Sequence, residues 1–159
     1  MQPASALLQE YGGLELLNRI LRGELPLMPI ASKLNFNLTA VSPGEVTFTG
    51  HPDESVYNLV DTVHGGYAAT LLDAAMACAI LTTLTRAQTF TTLEIKIQYL
   101  RAITTQTGEV QATGKLLHAG RRVAAAEGKI VDRHGKLLAH GTTTCMILPA
   151  ASIAKSKDH

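Results

Sequence analysis

The spacing of apolar residues changes along the chain and divides it into helical and extended parts. In residues 5–21 apolar positions recur every three or four residues, which predicts an amphipathic helix weakened by the Gly-Gly pair at 12–13. Residues 23–33 contain two prolines and are predicted to be a connection with at most a short helical turn. Apolar positions then alternate in 34–48 on either side of a Ser-Pro-Gly turn at 42–44, which predicts a β-hairpin.

Residues 66–84 form the most unusual segment, because they are rich in helix formers and apolar on every face rather than along one stripe. Such a helix is expected to be buried. A membrane span is the alternative, but Asp73 interrupts the apolar run and the usual charged flanks are lacking. We therefore expect a helix inside a globular core and no membrane partner.

Four further strands are predicted after this helix. Their short connections, at 119–120 and 134–135, favour antiparallel hairpins over helical crossovers. Two strands, one apolar helix and four strands predict an α+β fold in which a curved antiparallel sheet wraps around the helix. The side of the helix that the sheet leaves open would be covered by the curl of the sheet or by a second subunit. The predicted strands are 90–99, 109–117, 121–132 and 136–148.

A chain of 159 residues has the length of one ordinary domain. We expect an N-terminal helix and connection in 1–29, the main domain in 30–148 and a flexible tail in 149–159.

Charge and cysteine content exclude several classes of protein. The 14 basic and 13 acidic residues leave almost no net charge and form no basic stripe, which argues against nucleic acid as a partner. Cys78 and Cys145 lie in apolar stretches without metal-ligand spacing, so neither a zinc site nor a disulfide framework is predicted. The N-terminus does not resemble a signal peptide, and a cytoplasmic protein is expected.

The segment from Asn58 to Gly66 ends in His64-Gly65-Gly66 at the predicted start of the apolar helix. Glycines at a helix start let a ligand approach the backbone, and the free N–H groups there carry about half a positive charge. This arrangement predicts a site for a developing oxyanion.

Asp73 is the second candidate for chemistry, because it lies among apolar residues with no Lys or Arg three or four positions away. A structural carboxylate is the alternative, but unpaired charges in such places are commonly functional. Gly65 precedes Asp73 by eight residues, or about 12 Å along a helix, which is too far for both to touch one carbonyl group. If both are catalytic, Gly65 of one subunit must meet Asp73 of another, and a two-fold dimer is the simplest solution.

The combined motif is Asn58, then His64-Gly65-Gly66 six residues later, an acid nine residues after the histidine, and the strand TTLEIKIQYLR. It resembles the phenylacetate-degradation (PaaI-type, 4-hydroxybenzoyl-CoA thioesterase-like) branch of the hotdog-fold thioesterases, over about residues 30–148. The resemblance implies a hotdog fold, acyl-CoA as substrate and a homodimer that could pair into a homotetramer.

The resemblance also implies roles for individual residues. Asp73 would attack the thioester carbonyl or activate the water that does so, and Gly65 would donate its N–H to the oxyanion. Asn58 would orient the water or the carboxylate, while His64 would order the loop and hydrogen-bond near the thioester. A strand hydroxyl is also expected: counting back from Tyr99 favours Thr92, which we choose, while counting forward from Asp73 allows Thr91.

Substrate contacts are expected from Gly66 and Tyr67 near the acyl group, and from Arg121 and Arg122 near the CoA phosphates, although solvated arginines are the alternative. Aryl and short to medium acyl groups both fit the resemblance. CoA belongs to the substrate, and no separate cofactor or metal is expected. Two other functions stay open: a hydratase or dehydratase of the same fold, and a non-catalytic acyl-CoA binding or sensing module.

Overall fold

The computed structural model of the chain describes residues 4–152. Within these residues, six strands form one antiparallel sheet in the order β1-β2-β4-β5-β6-β3, so β1 and β3 are its edges. The predicted hairpins and the antiparallel sheet are confirmed. The strands are β1 (Phe36–Ser42), β2 (Glu45–Gly50), β3 (Gln88–Tyr99), β4 (Val110–Ala119), β5 (Val123–Asp132) and β6 (Leu137–Pro149).

The predicted apolar helix is also confirmed. Residues 4–152 contain four helices, α1 (Ala4–Glu10), α2 (Gly13–Leu21), α3 (Pro29–Lys33) and α4 (Gly65–Leu81), with short 3-10 turns at Glu54–Val56 and Ala150–Ser152. Most of α4 is buried against the sheet, as its lack of a polar stripe requires. Its side chains pack with Phe36 and Phe48, whose rings meet edge to face at 5.7 Å.

A row of glycines crosses the sheet beneath α4. Gly114 on β4 pairs with Gly128 on β5, which pairs with Gly141 on β6. A Cβ atom at position 114 would lie only 2.2 Å from the carbonyl oxygen of Ala75, and one at 128 would lie 2.8 Å from Cγ of Met76. The missing side chains let the backbones of helix and sheet come together.

The predicted N-terminal helix is two helices, α1 and α2. Gly12 between them is extended, with φ −66° and ψ 155°. The N–H of Gly13 donates to the carbonyl of Leu84 at 2.9 Å, and a Cβ at Gly13 would lie 1.8 Å from the carbonyl oxygen of Leu81. The glycine pair therefore ends one helix and docks the next on the C-terminal end of α4.

The predicted connection 23–33 contains α3. At the other end of the chain, Ala150 is buried and its N–H donates to the carbonyl of Ala87 at 2.8 Å. The rest of the predicted flexible tail, 153–159, lies outside the described residues. None of the helices in residues 4–152 is long and apolar enough to cross a membrane.

Candidate functional site

The N-terminus of α4 is capped by the residue just before it. Nδ1 of His64 accepts a hydrogen bond from the backbone N–H of Gly66 at 2.8 Å, and the His64 N–H donates to the carbonyl of Val56 at 2.8 Å. Gly65, the first residue of the helix, has no intrahelical acceptor for its N–H, and no other residue in 4–152 accepts it. This N–H lies at the positive end of the helix, where it can stabilise a developing negative charge.

Asn58 organises the loop that leads to α4. Its Oδ1 accepts from the N–H of Val60 at 3.0 Å and from that of Thr62 at 3.3 Å, and its Nδ2 donates to the Thr62 hydroxyl at 2.9 Å. Asp61 takes a left-handed conformation, with φ +57°. The loop tip is apolar and open, because Leu59 and Val60 are 103% and 74% exposed. Asn58 therefore fixes the shape of a loop whose tip projects from the chain.

Tyr99, at the end of β3, lies over Gly65. Its hydroxyl donates to the Gly65 carbonyl at 3.0 Å, and a Cβ atom added to Gly65 would approach the tyrosine ring to 3.1 Å. Asn58, Gly65 and Tyr99 line one open cavity of about 260 Å³, together with Arg101 and Leu138. Neither Tyr99 nor Arg101 was predicted as a site residue, although the strand motif that contains Tyr99 runs directly into Arg101.

Asp73 lies two turns along α4, on the face that the sheet does not cover. The carboxylate is half-buried, and its Oδ1 accepts a hydrogen bond from the Thr92 hydroxyl at 3.1 Å. Thr92, rather than Thr91, makes this contact. The carboxylate is not fully enclosed in the single chain, because Gly66, Thr70 and Asp73 share a face that stays open to solvent.

The surroundings of Asp73 contain no compensating positive charge. Within residues 4–152 no Lys, Arg or His nitrogen lies within 4.0 Å of its carboxylate. The hydroxyl of Thr92, which contacts Asp73, also lies 3.8 Å from Sγ of Cys145. Burial raises the pKa of the Cys78 thiol to about 12, and the negative charge of Asp73 adds to that shift. Asp73 is therefore held by one neutral hydroxyl and keeps its remaining oxygen free.

Tyr67, predicted to contact the substrate, lies in the core. It is 3% exposed, and a Cβ atom at Gly50 would lie 2.3 Å from its hydroxyl, which has no hydrogen-bond partner among the described residues. Burial raises the Tyr67 pKa to about 12, with Asp53 adding to the shift. Each residue of a helix is rotated by about 100° from the one before it, so Gly66 and Tyr67 point in different directions. Tyr67 therefore faces the sheet, while Gly66 shares the open face with Asp73.

Arg121 and Arg122 lie apart from Gly65. They are exposed at the turn between β4 and β5 and line an open cleft of about 800 Å³ with Gln88, Met146 and other residues at that end of the sheet. The structure thus brings Asn58, His64 and Gly65 together in one place and Asp73 with Thr92 in a second. The two arginines occupy a third.

No metal centre is found in the part of the chain that the structure describes: no three His, Cys, Asp or Glu side chains converge there. The chemistry available is that of a carboxylate, a histidine and backbone N–H groups.

Comparison with known proteins identifies the family. The model of the thioesterase superfamily matches residues 61–139. A phenylacetic acid degradation-related protein from Ralstonia eutropha JMP134 is 30% identical over 82% of this chain and 98% of its own, with a TM-score of 0.74. A point mutant of the phenylacetic acid degradation protein PaaI from Thermus thermophilus is 28% identical over 75% and 98%, with a TM-score of 0.68.

A protein from Streptococcus mutans UA159, solved bound to acetyl-CoA, shares the fold at 23% identity over 79% of this chain and 98% of its own, with a TM-score of 0.69. No curated protein sequence matches the chain significantly. The predicted hotdog fold and the resemblance to PaaI-type proteins are confirmed by these matches. The chain belongs to the thioesterase superfamily and is a thioester hydrolase.

Proposed function

We propose that the chain hydrolyses acyl-CoA thioesters to a free acid and CoA, in sites that two copies of the chain build together. The observation that carries this proposal is the Asp73 carboxylate on the open face of an otherwise buried helix, held by the Thr92 hydroxyl and without a basic partner. This carboxylate forms no salt bridge that would stabilise the fold, so a catalytic role on the open face of the helix best explains its presence.

Two chains are needed because of the distance between the catalytic groups. Gly65 and Asp73 lie on the same helix, separated along its axis by about 12 Å. A thioester carbonyl polarised by the Gly65 N–H is therefore out of reach of the Asp73 carboxylate in the same chain. The oxyanion donor and the acid must come from different copies.

The edge strand β3 offers the means of joining them. It spans twelve residues, has no partner strand on its outer side among the described residues, and exposes the apolar side chains of Leu93, Ile95 and Tyr99. A long, apolar, unpaired edge is a template for pairing with a second strand. A second copy of β3 in antiparallel orientation would bury these side chains and extend the sheet.

Such a pairing brings the separated groups together. Tyr99 at the end of β3 lies over Gly65, and Thr92 near the other end holds Asp73. In an antiparallel pair related by a two-fold axis, the Tyr99 end of one strand lies beside the Thr92 end of the other. Gly65 of each subunit then faces Asp73 of its partner, which gives two equal sites. A homotetramer would be a pair of such dimers.

The proposed reaction uses few groups. The Gly65 N–H stabilises the oxyanion as the thioester carbonyl is attacked, aided by the helix dipole. Asp73 either attacks the carbonyl carbon itself, which breaks the C–S bond, releases the CoA thiolate and leaves an anhydride that water opens to the free acid, or removes a proton from the attacking water. In the second case the attack of water breaks the C–S bond, and the CoA thiolate takes up the proton. Because Nδ1 of His64 accepts a hydrogen bond, neutral His64 carries its proton on Nε2, which can donate towards the thioester.

Asn58 has an indirect role in this proposal, because its side chain is used to hold the loop beside Gly65.

We propose aryl or short to medium acyl groups as the substrate class. The support is the similarity to proteins of phenylacetic acid degradation and, for CoA itself, the acetyl-CoA bound by the Streptococcus mutans protein.

Thiol release from phenylacetyl-, benzoyl-, hexanoyl- and acetyl-CoA tests the proposal. Asp73→Asn keeps the shape of the side chain and removes its charge, so kcat should fall by at least ~100-fold. Asp53→Asn is the matched control, because it makes the same change at an exposed cap of a 3-10 turn. Thermal unfolding of each variant establishes that it is folded. Turnover by Asp73→Asn at the wild-type rate, or binding without turnover by the wild type, would reject the proposal.

A further inference from the structure

A second open cavity, of about 490 Å³, lies beside the one at Gly65. It is formed by the segment after β3 and by the turn between β5 and β6. Arg101, Ala102 and Leu138 line both cavities. A ligand bound at Gly65 could therefore extend into the second cavity without leaving the surface of the chain.

This second cavity is basic. Arg101, Arg133 and Lys136 contribute three cationic side chains, with His134 between the last two. Asp132 is the one acidic residue in the lining, and its side chain stabilises the turn between β5 and β6. Its Oδ1 accepts hydrogen bonds from the backbone N–H groups of His134 at 2.8 Å and Lys136 at 2.9 Å. The hydrogen bond from the Lys136 N–H is the main cause that holds the pKa of Asp132 below its usual range.

Of the twelve Lys and Arg side chains in residues 4–152, three lie close to a carboxylate. Arg19, Arg22 and Lys115 each lie within 4.0 Å of a glutamate. Arg101, Arg133 and Lys136 have no carboxylate within that distance in residues 4–152. In a chain with 14 basic and 13 acidic residues, three uncompensated cations in one cavity are a local concentration of charge that suits an anion.

Arg101 links the two cavities and is held in place. Its guanidinium donates to the carbonyl of Leu137, while the backbone N–H groups of Leu100 and Arg101 both donate to the carbonyl of Leu138. A fixed guanidinium loses less conformational freedom on binding a phosphate oxygen than a free one would.

We propose that this basic cavity holds the phosphate groups of CoA while the thioester lies at Gly65 and the pantetheine arm passes Arg101. The inference rests on the proposed acyl-CoA hydrolysis and extends it to the nucleotide end of the substrate. Phosphates bind cationic side chains through charge-assisted hydrogen bonds, and Arg101, Arg133 and Lys136 supply such donors.

The same position argues against Arg121 and Arg122 as the phosphate site within one chain. They precede β5, whereas the basic cavity follows its last residue, Asp132. The ten residues of β5 separate the two places by about 30 Å. Of these two places within one chain, the basic cavity at Asp132 is the one that adjoins Gly65.

Substrates with and without the nucleotide test the inference. The double variant Arg133→Gln/Lys136→Gln should raise KM for acyl-CoA about three- to tenfold. KM for the same acyl group on pantetheine, which lacks the nucleotide phosphates, should match that of the wild type. Lys115→Gln/Lys129→Gln removes the same charge from a separate part of the sheet and is the control. An unchanged KM for acyl-CoA in the Arg133/Lys136 variant would overturn the inference, whatever Arg122→Gln does.

A binding measurement separates this inference from the proposed hydrolysis. Calorimetric titration with CoA and with pantetheine needs no turnover. If Arg133→Gln/Lys136→Gln weakens binding of CoA and leaves that of pantetheine unchanged, the phosphate site stands even when no acyl-CoA is hydrolysed. Equal CoA affinity in wild type and variant would reject the site while leaving hydrolysis standing.

Discussion

The hydroxyl of Thr92 donates a hydrogen bond to Oδ1 of Asp73 at 3.1 Å, and this contact joins the buried helix α4 to the edge strand β3. It fixes the rotation of the carboxylate and leaves the second oxygen, Oδ2, for a water or a carbonyl carbon. Because β3 is also the proposed dimer edge, the acid is anchored to the strand that the partner subunit would contact.

Removal of this hydroxyl should impair catalysis more than folding. Thr92→Val is nearly isosteric, and loss of a hydrogen bond to a charged group should lower kcat roughly 10- to 100-fold. Thr91→Val is the control, since Thr91 is the neighbouring, exposed threonine. Steady-state kinetics of both variants check the prediction. Equal losses of kcat in the two variants would show that the hydroxyl of Thr92 does not position Asp73.

A charge on the edge strand should dissociate the proposed dimer and abolish activity together. Ile95, 37% exposed on β3, would be covered in the proposed interface, so Ile95→Lys should shift sedimentation towards the monomer. Its activity should recover as protein concentration rises, because each site needs two chains. Leu21→Lys, at a residue 38% exposed on α2, is the matched control and should leave the assembly intact. A fully active Ile95→Lys monomer would refute the two-chain site.

The glycine pair between α1 and α2 should respond unequally to alanine. A Cβ at Gly13 would lie 1.8 Å from the Leu81 carbonyl oxygen, whereas one at Gly12 would lie 3.6 Å from that of Leu84. Gly13→Ala should therefore lower the free energy of unfolding by about 1–3 kcal/mol, and Gly12→Ala by less than about 1 kcal/mol. Denaturant titration measures both. Similar values for the two variants would contradict the close packing of α2 on α4.

Alkaline pH should destabilise the fold through Cys78. Burial raises its thiol pKa to about 12 in the folded chain, while an unfolded thiol titrates near 8.5. Above about pH 8.5 the unfolded chain therefore loses a proton that the folded chain keeps, so stability falls as pH rises, by up to about 1.4 kcal/mol per pH unit for this group. Cys78→Ala should flatten the fall between about pH 9 and 11. An unchanged slope would show that Cys78 is not the group responsible.

Much of the fold was predictable because its signals are local. An apolar helix without a polar stripe can only be buried, and alternation with short turns predicts antiparallel strands. The glycine pair at 12–13 was predicted to weaken the N-terminal helix. Its role in packing α2 against α4 was not predicted, since the contact of Gly13 with Leu81 joins positions far apart in sequence. The inward turn of Tyr67 likewise depends on where α4 begins.

The sequence indicated most of the residues of the candidate site, but it indicated less well how these residues lie relative to one another. The alternation of β3 did not distinguish Thr92 from Thr91, because a bulge at Leu93 interrupts it. Nor does alternation reveal that β3 is an edge, which leaves Ile95 exposed instead of buried. Arg101 and Lys136 come together only through the pairing of distant strands, so the basic cavity could not be predicted from the sequence.

Mixed dimers test the central claim, that Gly65 of one chain and Asp73 of another form each site. Gly65→Pro removes the oxyanion N–H and keeps the helix start, because proline is favoured at the first residue of a helix and His64 before it is already extended. Gly65→Ala, which places a Cβ against Tyr99 but retains the N–H, is the steric control. Gly65→Pro and Asp73→Asn should each be inactive alone. Half of the randomly mixed dimers would contain one chain of each kind.

In such a mixed dimer, one site combines the intact Gly65 of the Asp73→Asn chain with the intact Asp73 of the Gly65→Pro chain. Refolding equal amounts of the two variants together should therefore restore about a quarter of wild-type thiol release. If Gly65 and Asp73 act within one chain, every site in the mixture carries a defect, and activity that stays at the level of the separate variants would contradict the account.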